Sequence, residues 1–273
     1  MKLKKLIKNY LIKEKIEKIY KRTDFTKNIE TKENRYPDKI WTMWIQGYDN
    51  APPIIKACIN SIKKYSEGRD VIVLDKSNIN NFVDIPDFIE FKYNNGTIGH
   101  AHYSDYIRTC LLYHYGGTWM DATIFCTDNF DELLEEPFLI LQNPITGGIS
   151  NFFIHSNPQN IFMHYMLNFL TQYWKKEKKA FDYFFWHKTF IELVNTDETC
   201  KRIWANVPIY SNVNPHTLVK GVCKPCNQKW IKYVKRLTPI HKLTYKTQVK
   251  FNKADLSNIA EDSYWNEIVK EYI

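Results

Sequence analysis

Several features that would assign a function directly are missing from this 273-residue chain. It has no G-x-G-x-x-G and no G-x-x-x-x-G-K-[ST], the glycine runs that let backbone N–H groups close around a dinucleotide or a nucleotide triphosphate. No stretch approaches the roughly 18 to 20 apolar residues that cross a bilayer. Lysines interrupt every apolar run near the start, so no signal peptide is expected. Net positive charge is scarce over most of the chain. Residues 1–22 hold nine Lys or Arg against Glu14 and Glu17, which is +7 of the formal +8. The remaining body is close to neutral, which argues against a nucleic-acid partner, since that needs a basic folded face. Cysteines lack a framework spacing. Cys58, Cys110, Cys126 and Cys200 lie in apolar or helical contexts, as reduced cytosolic thiols do. Cys223 and Cys226 form one C-x-x-C pair, but no second pair completes a zinc cage unless Cys200 and His216 converge. Nor does the pair open a helix after a strand, as a redox motif does.

What is present fits a soluble globular protein: 44% hydrophobic and 25% charged residues, with length for one large domain or one domain plus a small appendage. Aromatics reach 15%, which suits either a ring-rich core or rings exposed for stacking on sugars or bases. Residues 2–22 read as a helix with a stripe of Leu3, Leu6, Ile7, Tyr10 and Leu11, continued by Ile16, Ile19 and Tyr20. This helix either packs on the domain or lies, lysines outward, on an anionic membrane surface. A polar linker follows. The expected division is therefore 1–35, basic helix and linker, and 36–273, the main domain.

Residues 39–46 suit a first buried strand. Pro52 and Pro53 open a helix through Tyr65, and residues 70–75 form a compact second strand. Strand, helix, strand implies an α/β domain with a parallel sheet. Residues 78–95 read as irregular, with a turn at Asn94-Asn95-Gly96. The run from His100 to Phe125 organises the rest. Its helix places Ser104, Asp105 and Arg108 on one face, Gly116 supplies a left-handed stop, and 118–124 read as a strand. Alternation along that strand would set Trp119, Asp121 and Thr123 against Met120, Ala122 and Ile124. A carboxylate at the exit of a buried strand, with a hydroxyl on the same face, can hold a divalent cation or a sugar hydroxyl; it can also simply cap the next turn. Short strands are expected at 138–142 and 151–155, then a helix capped by Asn157 and Pro158, helices over 182–194 and 197–206, and a last one over 263–272.

The run S-D-Y-I-R-x-x-L-L-Y-x-Y-G-G-T-W-M-D-A-T resembles the core of the bacterial capsular polysaccharide synthesis glycosyltransferases, a group related to glycosyltransferase family 32 with its Asp-x-Asp sugar-binding region. The likeness extends from K-I-W-T-M-W-I-Q-G at 39–47, with the following Ala-Pro-Pro, to H-K-L-T-Y-K at 241–246. It implies a GT-A type Rossmann-like nucleotide-sugar-binding fold with additional C-terminal helices. It also implies transfer of a hexose from a nucleotide-diphosphate sugar, expected to be UDP-linked, to a glycan acceptor, with retention. By motif, Ser104, Asp105 and Arg108 contact the donor sugar or diphosphate, Asp121 is the first Asp of the Asp-x-Asp element, and Trp44 and Gln46 lie near the base. Asp121 and Arg108 are the expected catalytic residues, with Lys246 neutralising the leaving diphosphate. A divalent cation, Mn or Mg, would sit on Asp121, Thr123 and His241, although Thr123 stands where a second Asp is usual. The basic N-terminus suggests a lipid-linked acceptor in surface-polysaccharide synthesis and a cytoplasmic protein peripheral to the inner membrane face. A non-catalytic carbohydrate-binding or scaffold protein on the same fold is the alternative.

Overall fold

The computed structural model describes residues 2–22, 38–246, 248–249 and 254–273, so the expected linker at 23–35 lies outside the described residues. In chain order the helices are α1 (Lys2–Tyr20), α2 (Pro53–Lys64), α3 (Asp87–Asn94), α4 (His100–His114), α5 (Ile161–Lys176), α6 (Phe185–Thr196), α7 (Glu198–Trp204), α8 (Gln228–Leu237) and α9 (Tyr264–Tyr272). The strands are β1 (Ile40–Met43), β2 (Val71–Leu74), β3 (Gly117–Met120), β4 (Ile124–Cys126), β5 (Phe138–Gln142), β6 (Ile149–Ser156), β7 (Ile240–Lys242), β8 (Gln248–Val249) and β9 (Ala254–Asp255). They form two compact units. One gathers residues 1–37, 80–116 and 156–208, the other 38–79, 117–155 and 209–273.

The second unit contains the sheets. Its main sheet has the order β2-β1-β3-β6-β5, and β1 runs parallel to both β2 and β3. Ile40, Trp41 and all four residues of β3 are buried, as expected of short apolar strands covered on both faces. The fold is α/β, with the parallel core and C-terminal helices α8 and α9 that the motif resemblance implies. Pro53 at the first turn starts α2, whose Ile54, Ile55, Cys58, Ile59 and Ile62 are buried, and the helix packs on β4 and α9. The chain leaves the sheet at Met120, four residues earlier than the alternation suggested. Asp121 N–H still bonds Phe152 O at 2.8 Å, but Ile124 N–H closes a turn onto Asp121 O at 2.8 Å. After that turn the chain re-enters extended structure as β4, paired antiparallel with β7. Asp121 and Thr123 therefore occupy a turn and not one face of a strand.

The first unit is helical. In α4, Tyr103, Tyr106, Ile107, Cys110, Leu111 and Leu112 are buried. The helix stops where expected: Gly116 has φ +69°, and a Cβ there would lie 2.6 Å from Pro158 Cδ and 2.8 Å from Ser156 O, so glycine is required twice over. Helix α5 begins later than expected, because the cap is Asn160, whose side chain accepts from Phe162 N–H at 2.9 Å. Residues 87–94, expected to be irregular, form α3; with Ile89 its only buried residue, the helix has little apolar period to show. Among the described side chains of α1 the buried ones are Ile12 and, from the expected stripe, Ile16, while Tyr10 and Leu11 of that stripe are exposed. The rest of that stripe, Leu3, Leu6 and Ile7, lies where no side chain is described. The helix is held against α5 and α6 by Lys15 to Glu177 at 2.8 Å, Lys13 to Glu192 at 3.3 Å and Tyr20 to Asp197 at 2.8 Å.

Candidate functional site

Helix α4 brings together the three polar residues expected to share a face. Arg108 donates from its guanidinium to Ser104 Oγ at 2.9 Å and Ser104 O at 3.3 Å, and lies 3.6 Å from Asp105 Oδ1. His102 Nδ1 stands 3.5 Å from Asp105 Oδ2 on the other side. Asp105 and Arg108 are both buried. A buried carboxylate and guanidinium are tolerable only when paired in this way, and the pairing fixes the direction in which each fork points.

In the sheet unit, Asp121 sits at the exit of β3 with both carboxylate oxygens engaged. Trp119, two residues back on the same side of the strand, donates its indole N–H to Oδ1 at 2.9 Å. Lys242 Nζ donates to Oδ2 at 2.5 Å and lies 5.2 Å from the Phe152 ring centre. The Phe152 ring in turn meets His216 edge-on at 5.4 Å. Burial, followed by the Lys242 and Lys220 charges, lowers the His216 pKa to about 4. The Asp121 and Lys242 side chains keep 25% and 18% of their surface exposed, so solutes can reach the pair.

Lys242 was not among the residues expected here. The register of β7 against β4 selects it. His241 and Lys242 are consecutive on a strand, so their side chains leave opposite faces. Lys242 takes the side of Asp121; His241 is fully buried, its Nε2 is 3.0 Å from Thr127 Oγ1, its Nδ1 has no hydrogen-bond partner, and burial lowers its pKa to about 3. Strand alternation separates Lys242 from His241, but which of the two faces Asp121 is set by the pairing of β7 with β4. Lys246 is exposed, with its backbone N–H on Thr244 Oγ1 at 3.1 Å. Trp44 lies just beyond β1 with its ring edge-on to Tyr245 at 5.1 Å, and its buried indole N–H has no partner. Gln46 is exposed and its carbonyl accepts from Asn50.

The expected cation ligands do not fit one divalent ion. His241 faces Thr127, Thr123 offers a neutral hydroxyl, and Asp121 already carries an ammonium on Oδ2. A hard divalent cation wants about six oxygens. Among the described residues no three His, Cys, Asp or Glu side chains gather as a metal cluster. Cys223 is buried, and Cys226 Sγ accepts from Gln228 at 3.3 Å.

A family model described as capsular polysaccharide synthesis protein matches residues 2–268. The chain belongs to that family. The match takes in α1, which the motif resemblance did not reach. Among curated proteins, the chain is 29% identical over 157 residues to the O-glycosyltransferase braB of Annulohypoxylon truncatum, covering 50% of this chain and 37% of that one. It is 25% identical over 152 residues to the uncharacterized glycosyltransferase L373 of Acanthamoeba polyphaga mimivirus, covering 55% and 54%. It is 33% identical over 69 residues to inositol phosphoceramide mannosyltransferase 1 of Schizosaccharomyces pombe, covering 25% and 22%. The chain thus spans 22% to 54% of the length of these relatives. Among solved structures it is similar to the PaToxG glycosyltransferase, with TM-score 0.41, 13% identity and coverage of 97% and 98%. A second is the glycosyltransferase GlyE of Streptococcus pneumoniae TIGR4, with TM-score 0.36, 11% identity and coverage of 88% and 63%.

Proposed function

We propose that this family member is a glycosyltransferase that moves a hexose from a UDP-sugar to a glycan acceptor in surface-polysaccharide synthesis, with retention at the anomeric carbon. The observation that carries the reading is Asp121: within a chain matched by the family along nearly its whole length, it presents a partly exposed carboxylate, braced by Trp119 and Lys242, at the exit of a buried strand. Trp44 suits a base contact, since its indole N–H is unpartnered and its face can stack. Asp105 and Arg108 are assigned to donor hydroxyls or phosphate oxygens, a guanidinium being suited to both. A thermal-shift panel of UDP-, GDP- and CMP-sugars tests the donor, because a ligand specific to the folded state raises its melting temperature. UDP-sugars should give the largest shift and release UDP on incubation. A protein that binds glycan but no nucleotide would be the non-catalytic module instead.

A lipid-linked acceptor is proposed from the N-terminus. Among the described residues no helix is long and apolar enough to cross a membrane, but α1 exposes Tyr10 and Leu11. Beside it a cleft of about 200 Å³ is lined by Lys15, Lys18, Arg22 and Lys176 against Glu177, an electrostatic match for anionic headgroups. Reversing Lys18 and Arg22 to Glu and changing Leu11 to Ser should cut co-sedimentation with phosphatidylserine vesicles several-fold, with UDP affinity unaltered. Unchanged sedimentation would leave α1 as a packing element alone.

A further inference from the structure

We infer that the Lys242 ammonium takes the place of the divalent cation, so that the diphosphate of the donor is bound and neutralised by this side chain without a metal ion. The inference deepens the donor reading given above and rests on it. Three observations on the sheet unit converge. First, the Asp121 carboxylate, the expected seat of the ion, is satisfied at both oxygens, by the Trp119 indole and by Lys242. A divalent ion arriving at Oδ2 would have to displace the ammonium and then sit beside it, against like-charge repulsion. Second, charge balance favours the swap. Thr123 is neutral, so Asp121 and Lys242 sum to zero, as two carboxylates and a divalent ion would. Third, the ammonium is held and still reachable. Asp121 anchors it on one side, the Phe152 ring lies 5.2 Å away, and 18% of the side chain stays exposed.

In the transfer step the bond from the anomeric carbon to the diphosphate oxygen breaks, and its electron pair goes to the diphosphate. The acceptor hydroxyl oxygen bonds to that carbon, and its proton passes to the released diphosphate. Negative charge grows on the leaving group, and a preplaced ammonium stabilises it where it appears. No oxidant, reductant or further reactant is consumed.

The test is binding of UDP and of uridine to the full chain, by calorimetry in excess EDTA and again with manganese. Wild type should bind UDP in EDTA, with little gain from manganese. Lys242→Met should lower UDP affinity about 100-fold and leave uridine affinity within about twofold, while Lys242→Arg should keep most of the UDP affinity. Retained uridine binding shows that the variant is folded; a Met side chain can still pack on Phe152. UDP binding that vanishes in EDTA, returns with manganese and survives Lys242→Met would overturn the inference alone. Binding of no nucleotide under any condition would overturn the donor reading and the inference with it.

Discussion

Asp121→Asn should lower UDP-sugar turnover by about two to three orders of magnitude, the usual cost of removing one group that manages developing charge. The change is nearly isosteric. The Asn carbonyl oxygen can still accept from the Trp119 indole, so the local packing and that hydrogen bond survive. What goes is the charge that holds Lys242. Because the pair is partly exposed, losing it should cost stability only about 1 kcal/mol or less, a shift of a few degrees in melting temperature. Rate and stability thus separate: a catalytic role predicts a large kinetic loss in a folded protein, and a turn-capping role predicts the reverse. Initial rates of UDP release, paired with thermal melts, distinguish the two. Turnover within about threefold of wild type would remove Asp121 from the mechanism.

Helix α4 and strand β3 were each readable because their signals are local. Ser104, Asp105 and Arg108 needed only helical spacing to share a face, and Gly116 needed only its position after His114 to mark the stop. The turn at 121–124 was hidden, since alternating side chains continue through it and nothing nearby contradicts a longer strand. It is closed by Ile124 N–H on Asp121 O and then held by β7, more than a hundred residues away. The choice of Lys242 over Lys246 is of the same kind. Both lie in one short basic segment, and a register decided elsewhere in the chain points one of them at Asp121. His216 could not have been placed at all, because its neighbours Phe152 and Lys242 come from distant strands. In α1 the expected Ile16 is buried, but Ile12 one turn before it takes the place of Tyr10 and Leu11, because the surfaces of α5 and α6 that receive the helix come from far along the chain.

Acidification should destabilise the sheet unit from about pH 6.5 downward, before its carboxylates begin to titrate. Burial, with Arg69 adding to it against a smaller opposing pull from Asp38, lowers the His155 pKa to about 4. Burial with Lys242 and Lys220 does the same for His216, to about 4, and burial with Lys235 takes His241 to about 3. In the unfolded chain each imidazole binds its proton near pH 6.5. Below that value the unfolded state holds more protons than the folded one, so stability falls with falling pH. The contribution is fully present above pH 6.5 and is lost progressively towards pH 4. Each pKa unit corresponds to about 1.4 kcal/mol, so three such groups together can remove several kcal/mol from the roughly 5 to 15 that hold a typical domain. Urea midpoints at pH 7.5, 6 and 5 should therefore drop steadily, and a midpoint that stays level would mean these imidazoles are not buried neutral. The cause can be isolated at one residue. His241→Gln puts an amide near the position of Nε2, which can keep the contact to Thr127 Oγ1, but it cannot titrate. That variant should lose some stability at pH 7.5 and show a shallower decline below pH 6, a change in slope that a purely steric effect would not produce.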